Sequence, residues 1–262
     1  VTQPLQFALE SQATDIDFLL VVAEKNSNAT IIETLEDASS AQSPQSQMST
    51  SEPYSFKAEN VEIVAKDNAS IKFATVNKLN KPKCFITKKA AAFHSAKVDW
   101  VDIAIGSSSA KQEVATLLKG EGSSTRMLAA LLTSNGQQLD TISKAVHAAR
   151  NTKSVMIAKG ALRGRSQAIY QGFTKIMPFA SGSDGSQKMH LLLLSNEAKA
   201  SPIPKLEIDN YDVRATHEAS VGQIDGDKLF YLMSRALDES TAKKLVVEGF
   251  FEPLIKELGI GE

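Results

Sequence analysis

The sequence predicts a mainly β protein that ends in a small helical segment, and three observations carry that prediction. From Phe56 onward the 262-residue chain falls into short apolar or alternating stretches, most of about four to eight residues, which is strand length rather than helix length. Clusters of Asn, Gly, Ser and Asp separate them. Between about residue 56 and residue 226 no amphipathic helical run appears, which argues against βαβ units and a Rossmann-like sheet. Sandwich, barrel and solenoid remain, and the monotony of the series favours the solenoid. "DNASIKFATV", "GSSTRMLAALLT", "RNTKSVMIAKGAL" and "GRSQAIYQGF" each pass from a small polar turn into an apolar stretch, at intervals of about 20 to 30 residues.

Taken in chain order, residues 1–54 read as N-terminal strands and a polar loop. The segment 39–53, "SSAQSPQSQMSTSEP", is rich in Ser and Gln and carries two prolines, the composition of a loop and not of packed structure. Residues 55–226 form the β core, with strands predicted at "NVEIVA", "IKFATV", "CFIT", "VDWVDIAIG", "EVATLL", "RMLAALL", "SVMIAKGAL", "QAIYQGF", "HLLLLS" and "KLEI". The pattern changes after Ile224, so 227–262 is read as helical. Asp227 is placed to cap a helix whose Leu229, Phe230, Leu232, Met233 and Leu237 share a broad apolar face. Asp238 or Ser240 can cap a second helix ended by Gly249, and "PLIKEL" reads as a short third one with Pro253 in its first turn.

Composition excludes several functions. Lys plus Arg number 29 against 30 Asp plus Glu, a formal charge of −1, so no global excess attracts nucleic acid or an anionic membrane. The longest apolar runs fall far short of the roughly 20 residues that span a bilayer, and no signal peptide opens the sequence. A cytoplasmic location is the expectation. The single cysteine, Cys84, can form neither an internal disulfide nor a multi-thiolate metal site, and burial as a small hydrophobe is its expected role.

Few residues offer chemistry. His217 and Glu218 are adjacent in "ATHEASVG", so in a strand they point to opposite faces and cannot hold one ion together without a bulge. A hydrogen-bonded structural histidine is the commoner fate of such a residue. His190 alternates with Lys188 and is expected to share its face. His147 and His94 read as turn residues. "KGEGSS" at 119–124 lacks the Lys-Ser or Lys-Thr ending of a phosphate-binding loop and reads as a turn. "LRGRS" at 162–166 places Arg163 and Arg165 on one side of a strand, either as an anion site or as a solvated edge. A polysaccharide lyase, another solenoid function, needs clustered carboxylates with a basic partner, and the β region shows only scattered acids.

Three longer strings resemble one family. "NTKSVMIAKGALRGRSQAIYQGFTKI", "LLLLSNEAKASPIPKLEIDNYDVRATHEASVGQIDGDKLFYLMSRAL" and "AKKLVVEGFFEPLIKEL" are similar to the SufB and SufD proteins of the Suf iron–sulfur cluster assembly system. The resemblance runs from about residue 15 to 258. It implies a right-handed parallel β-helix (β-solenoid) core with C-terminal helices, and a non-catalytic scaffold subunit working with the ABC-type ATPase SufC. It also implies that Leu229, Phe230, Leu232, Met233, Leu245 and Phe250 belong to SufC-docking helices. The last strands would pair with a SufB-type subunit or a second copy of the chain. Cluster or iron would be bound transiently in that complex, with none expected in the isolated chain, and His217 and Glu218 fall on the family's ligand motif as candidate metal ligands. The thiols of the SufB type are missing: Ala92 ends "TKKAAA" where a cysteine is expected, and "SQKMHLLLL" has none either. Their loss favours a SufD-like partner role, while the short chain favours a homodimer of a minimal system.

Overall fold

The computed structural model describes residues 5–11, 14–37, 56–80, 83–105 and 109–258; the Ser/Gln-rich segment 39–53 lies outside the described residues. Among them, odd-numbered strands form one parallel sheet: β1 (Leu5–Ser11), β3 (Asn28–Asp37), β5 (Ser70–Asn77), β7 (Lys97–Ile105), β9 (Ser124–Thr133), β11 (Lys153–Leu162), β13 (Asp184–Leu193) and β15 (Arg214–Gln223). Even-numbered strands form the facing parallel sheet: β2 (Thr14–Ala23), β4 (Phe56–Ala65), β6 (Lys83–Ala92), β8 (Ser109–Leu118), β10 (Gln138–His147), β12 (Gln167–Ile176) and β14 (Lys199–Ile208). Successive strands alternate between the sheets, so the chain winds as a parallel β-solenoid of about six turns. Turn length ranges from 26 residues, Lys83 lying opposite Ser109, to 32, Gln167 lying opposite Lys199. Thr14 faces Phe56 instead, across the turn that carries the Ser/Gln-rich segment.

Two local rules in the sequence build this coil. Strands alternate between buried and half-exposed side chains along their whole length, as in β4 and β10, because successive residues point to opposite faces of a sheet. One set fills the lumen, where Val61, Ile63, Ile71, Phe73, Val98 and Trp100 are fully buried or nearly so. At one corner Asn26, Asn68, Ser95, Gly122, Asn151 and Gly182 stack in a column. All six hold a left-handed backbone, a conformation Gly and Asn adopt most easily, and each donates its N–H to a carbonyl of the next turn.

The lumen is not uniformly apolar. In the early turns Glu33, Lys57, Glu59 and Lys88 are all buried. Lys57 is paired with Asp17, Lys88 with Thr75 and, at 2.6 Å, with Asp102, while Thr75 donates to Glu33 at 2.9 Å. Gln112 adds a second donor to Asp102 at 2.6 Å. Burial, and next the neighbouring Glu33, push the Glu59 carboxyl up to about 8.

The helices follow the last strand directly. α1 (Gly226–Ser234) is capped by Asp225, whose carboxylate accepts from the N–H groups of Asp227 and Lys228. The expected cap, Asp227, is therefore inside the helix: Asp225 sits two residues earlier, with the extended backbone a cap requires. α2 (Glu239–Leu258), capped by Asp238, runs unbroken through Gly249 and Pro253, so one helix replaces the two expected. An internal proline costs about 3 kcal/mol. Burial of Phe251 and Leu254 on either side of it offsets this, at about 1.5–3 kcal/mol each. Both pack on the outer face of the odd-numbered sheet, against Ala74, Val101, Leu128 and Ala161.

Two smaller readings also change. "LRGRS" is a turn between β11 and β12, with Gly164 at φ +67°, and not a strand. His147 is the fully buried last residue of β10 instead of a turn residue. Its Nδ1 meets Thr152 Oγ1 and its Nε2 meets Ser154 Oγ, both at 2.8 Å, and burial lowers its pKa to about 4.

Candidate functional site at the last turn

β15 is the outermost strand of its sheet, hydrogen-bonded to β13 alone. Its register sets Gln187 opposite His217, Lys188 opposite Glu218 and His190 opposite Ser220. Gln187 and Met189 are buried in the lumen while Lys188 is exposed, so His217 and Ala219 lie on the lumen side and Glu218 and Ser220 on the outer side. Direct contacts agree: His190 Nδ1 bonds Ser220 Oγ at 2.8 Å, and its Nε2 lies 3.6 Å from Glu218 Oε1. The alternation expected for His217 and Glu218 therefore holds.

Each of the two has its own surroundings. His217 stands at the open end of the lumen next to Gln187, whose amide donates to Thr174 Oγ1 at 2.8 Å and to the Lys205 carbonyl at 3.1 Å. The Gln187 Oε1 is buried without a hydrogen-bond partner. Glu218 shares the outer face with His190 and Lys188. Sequence reasoning had placed His190 only beside Lys188. Its proximity to Glu218 depends on a 30-residue turn, a length that no local motif encodes. A histidine nitrogen and a carboxylate side by side are competent metal donors. Among the described residues no three His, Cys, Asp or Glu side chains converge to hold an ion, so the donors described at this turn make at most part of a coordination sphere.

The other candidate positions divide by exposure. On α1, Phe230 is 75% exposed, and Tyr231 and Met233 are exposed beside it, while Leu229 and Leu232 are half-buried. Leu245 and Ile255 extend exposed apolar surface along α2. Phe250 is turned inward instead. It packs with the sheet cluster, its carbonyl accepts from Lys159 Nζ at 2.5 Å, and that ammonium lies 4.8 Å over its ring. Cys84 is buried with Leu35, Leu79 and Ile86, as expected for a small hydrophobe. Ala92, where the resemblance leads one to expect a thiol, is fully buried and faces the lumen.

Both edges of the last turn are unpaired on one side, but they differ. β14 carries Pro202 and Pro204, two residues apart, and so withholds two N–H donors along one edge. Proline is tolerated in a strand where that edge faces outward. β15 has no proline, and its free edge keeps its donors.

Comparison with known proteins converges on one description. A sequence-family model described as "SUF system FeS cluster assembly, SufBD core domain" matches residues 7–250. An iron–sulfur cluster assembly SufBD family protein of Mycobacterium leprae is 35% identical over 199 residues, covering 76% of this chain and 23% of that protein. The iron–sulfur cluster assembly protein SufB of Bacillus subtilis is 33% identical over 199 residues, 76% of this chain and 43% of that one. A SufBD family protein of Synechocystis is 33% identical over 207 residues, again with 43% of its length matched. The chain spans less than half the length of these relatives.

Proposed function

The chain belongs to the SufBD core-domain family of the SUF system of iron–sulfur cluster assembly, and from that premise we propose that it is a non-catalytic scaffold subunit. In this reading it pairs with a SufB-type subunit or a second copy along β15 and docks a SufC-type ATPase through α1 and the outer face of α2. The observation that carries the reading is continuity. β15 ends at Gln223 and α1 begins at Gly226, so the strand with His217 and Glu218 and the helix with Phe230 are separated by one short cap. A pull on α1 reaches the candidate ligands through very little chain.

The geometry supports a division of labour between the two ligands. His217 serves from the lumen end, and Glu218 with His190 serves from the outer face. A transiently bound cluster or iron, the cargo of the assembly, takes its remaining ligands from the paired subunit. A thiol-bearing partner suits this chain best, because iron and sulfide favour thiolates and Ala92 stands where the resemblance leads one to expect a cysteine. β15 is the edge suited to pairing. The two prolines of β14 blunt its edge against strand addition.

Co-expression with the ATPase, with and without a SufB-type subunit, followed by mass measurement of the intact complexes, tests the pairing. The expected result is a three-component assembly that Phe230→Asp depletes of ATPase and that His217→Ala leaves assembled but short of iron. Full ATPase retention by Phe230→Asp, with unchanged cluster yield in His217→Ala, would sink the reading. Removing α2 altogether is a poorer test, since it strips the cover from Val101 and Leu128.

A further inference from the structure

Far from the last turn, the early lumen holds a cavity of about 140 Å³ bounded by Asp17, Leu19, Ile31, Glu33, Glu59 and Phe73. Glu59 is 4% exposed, lies against this space, and no N–H or hydroxyl group donates to either of its carboxylate oxygens. A buried carboxylate left so is costly, and a native fold retains one where something fills the need. Its hydrogen-bonding neighbour is a second carboxyl, Glu33. Lys88 is engaged by Asp102 and Thr75, Lys57 by Asp17, and Glu33 already accepts from Thr75. Burial and the adjacent Glu33 hold the Glu59 carboxyl up to about 8, so at neutral pH the two carboxyls keep a proton between them.

The geometry points to a binding site for one small divalent cation, of the Mg²⁺, Mn²⁺ or Fe²⁺ kind, held between Glu33 and Glu59 inside the solenoid. It takes the place of that proton, and its two charges neutralise both carboxylates. Small hard cations characteristically take one or two carboxylates and keep several waters, which agrees with two carboxylates and no third converging ligand among the described residues. The cavity has the room, since one water occupies roughly 30 Å³ of liquid. The apolar walls from Leu19, Ile31 and Phe73 hold no competing donor. This site lies at the other end of the coil from His217 and Glu218 and does not depend on the proposed assembly.

Mn²⁺ is the probe. At pH 8, paramagnetic resonance of the full chain should show one bound Mn²⁺ that Glu59→Gln and Glu33→Gln each abolish. Glu62→Gln, on the opposite face of β4, should keep it. At a hundred times its Kd the ion raises the folded-to-unfolded ratio about 100-fold, about 2.7 kcal/mol, in the parent chain but in neither chamber variant. Should those variants fold poorly, anomalous diffraction from Mn²⁺-soaked crystals of the parent decides the matter, with a peak expected between the two carboxylates. No bound Mn²⁺, no such peak, or undiminished binding in a folded Glu59→Gln would each overturn the site.

Discussion

Leu254→Ala should loosen α2 without melting the solenoid. Leu254 is 2% exposed and, with Phe251, forms the seam between α2 and the sheet formed by β5, β7, β9 and β11. Truncating a buried leucine costs about 2–5 kcal/mol, the amount depending on how well the site collapses. This seam has a helix on one side that can shift, which argues for the lower half, about 2–3 kcal/mol. If α2 opens as a unit, that cost multiplies its open population by about 30- to 150-fold. Native-state hydrogen exchange should therefore quicken by that factor for amides of residues 243–257, while amides of β9 and β11 keep their protection. The denaturation midpoint of the solenoid should move little. Unchanged exchange in α2 would mean that the seam contributes no stability. Equal acceleration in β9 would mean that helix and sheet open together, and that α2 is part of the solenoid's cooperative unit.

Three further outcomes follow from the same geometry. Lys88→Met leaves Asp102 without its buried cation and should cost about 3–5 kcal/mol in urea unfolding; Lys88→Met with Asp102→Leu should recover most of that loss. The depressed pKa of His147 makes stability pH-dependent. Its neutral form is favoured in the fold, so its contribution is intact above the unfolded value near 6.5 and is lost as pH falls toward about 4. The loss totals about 3 kcal/mol, and comparing unfolding of the parent with His147→Gln from pH 7 to pH 4 isolates it. Asp225→Ala removes the cap of a nine-residue helix that has no buried residue, and should cost about 1 kcal/mol, visible as faster exchange confined to residues 226–234.

Most of the architecture was legible because it rests on short-range pattern. Alternation gave the strands, the loss of alternation after Ile224 gave the helices, and adjacency alone placed His217 and Glu218 on opposite faces. What escaped was set by packing at a distance. Pro253 marks a helix start by its own chemistry, yet Phe251 and Leu254 find a sheet to cover and the helix runs through. His190 meets Glu218 because one turn happens to take 30 residues. In the sequence Glu59 is one of several scattered acids and nothing singles out Lys57 or Lys88; only the coil shows them stacked in one lumen with Glu33.

The last turn has a consequence for any bound group. A ligand set that uses both His217 and Glu218 must reach both faces of one strand, and a strand without a bulge keeps those faces apart. The group therefore sits beyond the free edge of β15, where a second chain supplies the atoms in between, or it uses one face and leaves the other residue idle. The two cases separate by mutation. In the first, His217→Ala and Glu218→Gln each remove bound iron from the assembled complex, and the pair of changes does no more than either alone. In the second, one substitution is silent; loss in Glu218→Gln shared by His190→Ala, with His217→Ala unaffected, would assign the site to the outer face.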